Sequence, residues 1–184
     1  RPRGPRALAG LGVAGLGLLA VATTGCAPAA TYPKVEGSVA IDAPQLSPIP
    51  ELMADAIEVH RQEVAELAAA APRSPASPAD PAAPDGSADA IAIPFNLPPN
   101  TPLAVWREVA RRVPGARPAT EDDVAVVHVQ QLRVRPNDAE VDVVVEPRAG
   151  RPNDIPYLAT VSFDRPFFSD WRIDRVRAWR VPTD

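Results

Sequence analysis

Few residues in this chain carry side chains able to do chemistry. Cys26 is the single cysteine among 184 residues, and His60 and His128 are the two histidines. A lone thiol can be acylated, oxidised or act as a nucleophile, but it cannot close a disulfide within its own chain. The histidines could serve as a general base or as metal ligands. His60, however, falls on an apolar stripe, and His128 lies among Val126, Val127 and Val129, so a hydrogen-bonded core or boundary role is expected for both. Two histidines with no further ligands at regular spacing do not make a zinc site. The sequence holds no glycine-rich phosphate loop, no Gly-x-Ser-x-Gly elbow and no paired catalytic carboxylates. It therefore argues against an enzyme and implies neither a cofactor nor a metal.

The densest group of potential contact residues comes late. Arg165-Pro166-Phe167-Phe168 leads to Trp171, and Arg172, Arg175, Arg177 and Arg180 follow along a run that includes Trp179. Aromatic rings and guanidinium groups together are the composition of interaction hot spots, since both offer large contact area and arginine adds directional donors. Phe167, Phe168, Trp171, Arg172, Arg175, Arg177 and Arg180 are thus the candidate interaction surface. The competing reading puts the aromatics in the core and pairs the arginines with Glu140, Asp142, Glu146 and Asp174 across a solvated sheet face. A recurrence, Arg135-Pro136-Asn137-Asp138 and Arg151-Pro152-Asn153-Asp154, reads as turn chemistry, with proline fixing φ and the Asx side chains closing the bend.

These residues need a frame. Behind Ser47-Pro48, the residues Met53, Ile57, His60, Val64, Leu67 and Ala71 recur at helical spacing and predict one amphipathic helix over 47–71, of roughly five turns. Glu51, Asp55, Glu58, Gln62 and Glu66 form its acidic face. Prolines at every third position from Pro72 to Pro84 predict an extended linker over 72–100, interrupted by a brief strand through Ile93 and Phe95. Within 101–184, Pro102 suits the first turn of a helix whose apolar face is Leu103, Trp106, Val109, Ala110 and Val113. Four strand-like runs follow, at 124–135, 139–146, 157–164 and 171–181. Val141, Val143 and Val145 fall on one side of the pleat and Glu140, Asp142 and Glu146 on the other, whereas the first and last runs need a bulge near Gln130-Gln131 or Asp174-Arg175 to keep one alternation. Connections this short predict antiparallel neighbours. The expected fold class is α+β, with one or two amphipathic helices packed on a four-stranded antiparallel β-meander. That layout is similar to cystatin-like and NTF2-like folds.

The N-terminal residues supply an address. Arg1, Arg3 and Arg6 precede an uncharged run of Ala, Leu, Val and Gly over 7–22, which is the layout of a secretory signal. Thr23-Thr24-Gly25-Cys26 resembles the end of a bacterial lipoprotein signal peptide, with Thr23 standing where that class usually has Leu. The resemblance covers the first 26 residues. It implies cleavage before Cys26, lipidation of Cys26 and attachment to the cell envelope by more than one acyl chain, as stable anchoring requires. Ala27 after the cysteine implies forwarding to the outer membrane or the periplasmic face. An ordinary secretory signal cut after Ala22 or Gly25 also fits. So does a retained anchor, although sixteen apolar residues fall short of the roughly 20 that span a bilayer. In this division 1–25 is a signal peptide and 26–46, with Pro28, Pro33, Gly37 and Pro44, a flexible tether.

Charge narrows the partners. The chain carries −4, and losing Arg1, Arg3 and Arg6 with the signal takes it to −7. An acidic exported chain is a poor nucleic-acid binder, because that binding rests on a positive field. The expected function is a lipid-anchored envelope lipoprotein, non-catalytic, that binds an envelope protein or polymer. The alternatives are a small ligand-binding or enzymatic cavity domain with His128 in an enclosed pocket beside a carboxylate, and a structural spacer.

Overall fold

The computed structural model describes residues 28–70, 92–147, 155–166 and 169–180. It is a mixed α+β arrangement of three helices and an open eight-stranded sheet. In chain order these are β1 (Ala30–Tyr32), β2 (Val39–Ala40), α1 (Ile49–Val59), α2 (Arg61–Ala70), β3 (Ile93–Asn96), α3 (Leu103–Arg112), β4 (Ala116–Pro118), β5 (Ala125–Val134), β6 (Asp138–Pro147), β7 (Tyr157–Asp164) and β8 (Arg172–Arg180).

Strands β5 to β8 form the expected antiparallel meander, paired in chain order. Their short connections leave no room for a crossover. The turn into β6 is closed as its residue types suggest, by an Arg135 N–H to Asp138 carbonyl bond of 2.8 Å and an Arg135–Asp138 ion pair of 2.7 Å. The second Arg-Pro-Asn-Asp copy lies outside the described residues. Both expected bulges occur. The β5–β6 register shifts between Val129 and Gln131, and the β7–β8 register shifts so that Ser162 faces Arg175 while Phe163 faces Ile173. Each extra residue restores the alternation that places apolar side chains on one face.

The meander is half of the sheet, and the rest corrects the sequence reading. The far side of β5 is shared: Phe95 and Asn96 of β3 pair parallel to Val127 and His128, and β1 pairs antiparallel to 132–134. The bulge at Gln130 separates the two partners. β3 also runs parallel to β4, and α3 is the crossover that makes this possible. β1 and β2 fall within the stretch read as a tether, where proline and a three-residue length hide any alternation. Tyr32 fixes β1 further through its hydroxyl, which donates to Thr101 Oγ1 at 3.0 Å.

The stretch 47–71 divides at His60 into two helices. There the His60 N–H bonds back to the Ile57 carbonyl at 3.1 Å, tightening the last turn. Pro48 is the N-terminal cap of α1, and no side chain caps that end. Leu52, Met53, Ala56 and Ile57 are fully buried, packed against α3, β5 and β6. Burying each large apolar side chain contributes roughly 1.5–3 kcal/mol, so α1 belongs to the core. On α3 the inward residues are Val105 and Val109, with Trp106 stacked on Phe95 at 5.2 Å between ring centroids. Leu103, placed on that face by its spacing, is 62% exposed, because the inward side of α3 is set by Val105 and Val109 and Leu103 lies roughly 160° around the helix from Val105.

Candidate interaction surface

The helices lie over the β3, β5 and β6 end of the sheet. At the other end the core stops abruptly. Val161 and Phe163 on β7 are 0% and 2% exposed, while their β8 partners Val176 and Ile173 are 42% and 45% exposed. Every described β8 side chain from Arg172 to Trp179 is exposed, although the strand is nine residues long. Among the described residues β8 pairs only with β7, so it is an edge with a row of backbone donors and acceptors turned outward.

The register sorts the two faces of that edge. Val176 and Ala178 sit opposite Val161 and Ala159, and with Ile173 they continue the helix-side apolar face. Arg175, Arg177 and Trp179 sit opposite Ser162, Thr160 and Leu158 and share the outer face. The Arg177 guanidinium lies 5.1 Å from the centroid of the Trp179 ring, a cation–π stack. Arg172 reaches Asp164 at 3.8 Å, and both partners are about half exposed, so the pair is weak.

Among the described residues no β8 arginine is ion-paired with Glu140 or Asp142. Arg133, directly opposite Glu140, takes Glu140 at 3.0 Å and Asp142 at 2.7 Å. Thr160 donates to Asp142 at 2.7 Å. β5 is adjacent to β6, whereas β8 is two strands away, so the nearer arginine wins. Among the described residues Arg175 has no ion-pair partner. Trp171 is half-buried against the core with Arg165 5.8 Å from its ring, and so is not part of an exposed aromatic cluster. Phe167, Phe168 and Cys26 lie outside the described residues, as does the side chain of Arg180, which is opposite Tyr157 in register.

His128 faces away from the helices, since Val127 and Val129 on either side of it enter the core. Its Nε2 lies 2.9 Å from Glu146 Oε2, and its Nδ1 lies 3.4 Å from Asn96. A carboxylate beside the ring is as the enzymatic alternative required, but the contact is too poorly aligned to be a hydrogen bond and it sits on the outer sheet face. His60 is 4% exposed at the break between α1 and α2. Its Nδ1 is 3.2 Å from the Tyr157 hydroxyl, which donates to Glu63. The arrangement that satisfies all three groups has His60 Nδ1–H donating to tyrosine and Nε2 as a bare lone pair in apolar surroundings, where no partner reaches it. Burial holds the ring below the ordinary histidine range, and the Glu63 carboxylate opposes that only in part. Burial and Glu63 both push the Tyr157 phenol upward. Glu63, three residues after His60, was visible in the sequence as a helical neighbour; Tyr157, ninety-seven residues away, had no such signal.

A cleft of about 520 Å³ opens between the start of α1, the end of α3 and 169–171. Glu51, Asp55 and Asp170 line it against Arg112 and Arg165. Arg112 holds Glu51 at 2.7 Å and joins α3 to α1; burial raises the Asp55 carboxyl against the pull of Arg112. Among the described residues no cluster of three or more His, Cys, Asp or Glu is placed to hold a metal ion, and no helix is long and apolar enough to cross a membrane. Comparison with protein-family models, curated proteins and solved structures finds no match.

Proposed function

We propose that the chain is an exported, lipid-anchored module of the bacterial cell envelope that binds a partner non-catalytically, with Cys26 as the acylated residue and the β8 edge as the docking surface. One observation carries the reading: a nine-residue edge strand keeps three large apolar side chains, Ile173, Val176 and Trp179, 42–49% exposed beside arginines. A monomer with no use for such an edge normally shortens or covers it, as β2 and β4 are short here. The cavity reading draws less support, because an NTF2-like cavity lies between sheet and helices and His128 faces the other way. A pure spacer would have no reason to hold tryptophan at a solvated edge.

Two measurements test this together. The intact mass of membrane-extracted protein, compared with Cys26→Ala, should reveal a chain beginning at Cys26 with added acyl mass that the variant lacks. A photo-crosslinking residue at position 177, in cells, should give a discrete adduct that the same residue at position 66, on the exposed face of α2, does not. An unmodified soluble chain would overturn the anchor, and equal or absent adducts from both positions would overturn the docking surface.

A further inference from the structure

The two faces of β8 specify more than a sticky edge, and the following inference rests on β8 being the docking surface. A strand laid alongside β8, in either direction, presents alternate side chains to the two sheet faces. Those sharing the outer face meet Arg175 and Arg177, with Arg172 at one end and Trp179 at the other. Those sharing the inner face meet Ile173, Val176 and Ala178, which extend the apolar surface of Val161 and Phe163. Among the described residues the outer arginines Arg175 and Arg177 are not drawn to Glu140 or Asp142, since Arg133 holds both of those carboxylates.

We propose that β8 binds an extended peptide segment in which acidic and apolar residues alternate, added as a ninth strand. Main-chain hydrogen bonds along the open edge supply the docking mode, and the alternation supplies specificity. A second copy of this chain is disfavoured as the occupant. Antiparallel β8–β8 pairing centred on Val176 sets Arg175 of one copy against Arg177 of the other on the outer face, and like charges directly opposite are destabilising. The same arginines therefore block self-pairing and admit an acidic strand. β6 is the chain's own example of the required pattern: Glu140-Val141-Asp142-Val143 takes Arg133 on one face and the core on the other.

The test uses the 184-residue chain carrying Cys26→Ala, titrated with three capped octapeptides: alternating Glu-Val, alternating Lys-Val, and one with the Glu and Val residues in two blocks. The alternating Glu-Val peptide should bind and slow amide exchange in 172–180. Binding should weaken roughly tenfold or more in Arg175→Glu/Arg177→Glu and fall with added salt, and the Lys-Val peptide should not bind. Equal binding of the block peptide would overturn strand addition. Failure of all three peptides while position 177 still crosslinks in cells would overturn the acidic strand but leave the docking surface standing. A concentration-dependent dimer, abolished by Trp179→Asp, would overturn the proposal by assigning the edge to a second copy. Failure of both crosslinking and peptide binding would remove β8 as a docking surface altogether.

Discussion

Whether α1 belongs to the folded domain decides how much of the chain is one cooperative unit, and Leu52→Ala decides it. Leu52 is fully buried at the junction of α1 with α3 and the sheet. Truncation removes its transfer free energy and leaves a cavity that β-structure on one side and a second helix on the other cannot readily collapse. The expected cost is about 2–5 kcal/mol. For a domain of this size that corresponds to a fall in Tm of about 4–20 °C, at roughly 2–4 °C per kcal/mol. The assay is urea unfolding followed by far-UV circular dichroism and tryptophan fluorescence, with the midpoint falling and the slope unchanged. Leu103→Ala is the internal control. That leucine is 62% exposed, so its truncation should stay within about 0.5 kcal/mol. If Leu52→Ala also cost less than about 1 kcal/mol, α1 would be a detached amphipathic helix and the core described above would be wrong.

Two further outcomes follow from polar groups held by the fold. His60 has a folded pKa below its unfolded value because burial disfavours the charged ring; the unfolded chain therefore takes up the proton first. Stability is then fully present above the unfolded value of about 6.5 and is lost as pH falls below it toward the folded pKa, and the urea midpoint of the native chain should drop between pH 7 and pH 5 more than that of His60→Gln. Identical pH profiles would exclude His60 as the titrating group. Asp123, only 7% exposed, accepts from Arg117, from the Thr120 N–H at 2.6 Å and from the Thr120 hydroxyl at 3.0 Å. Burial raises its carboxyl, but these donors outweigh burial and hold it below the usual range. Asp123→Ala should cost about 2–3 kcal/mol by thermal unfolding, reckoned from the charged hydrogen bonds lost. The freed Arg117 adds little, being 43% exposed and able to regain water; a cost below about 1 kcal/mol would show that the 120–123 turn does not hold β5 in place.

The parts of the fold that were legible in the sequence are those where a local period records burial. Val141, Val143 and Val145 alternate because one face of β6 is solvated and the other is core. The two bulges were legible for the same reason, since a break in alternation with apolar residues on both sides leaves few other solutions. What was not legible is pairing over long separations. Tyr32 meeting Leu132, and Phe95 meeting Val127, leave no periodic trace in strands of three and four residues. Leu103 misled for a different reason: apolar residues surround much of α3, and the spacing alone does not tell that the inward side is centred on Val105 and Val109.

The candidate surface was legible in composition and not in pairing, and the difference is set by strand order. Counting charges permits Arg175 or Arg177 to pair with Glu140 or Asp142 as readily as Arg133 does. Strands lie about 4.8 Å apart, so a residue two strands away is nearly 10 Å distant while the adjacent strand's arginine is directly opposite. Because β5 lies beside β6 and β8 lies beyond β7, the β6 carboxylates are committed inward and the β8 arginines are left at the edge. Moving one side chain should reverse that commitment in part. With Arg133→Met the carboxylates of Glu140 and Asp142 lose their nearest cation, and the outer face becomes more acidic next to the basic edge. An acidic strand approaching β8 would then meet repulsion from Asp142 behind Thr160, so its affinity should fall although no β8 residue has changed. Unaltered affinity in Arg133→Met would mean that the edge recognises its partner by backbone pairing and apolar contact alone, with the arginines serving only to keep copies of the chain apart.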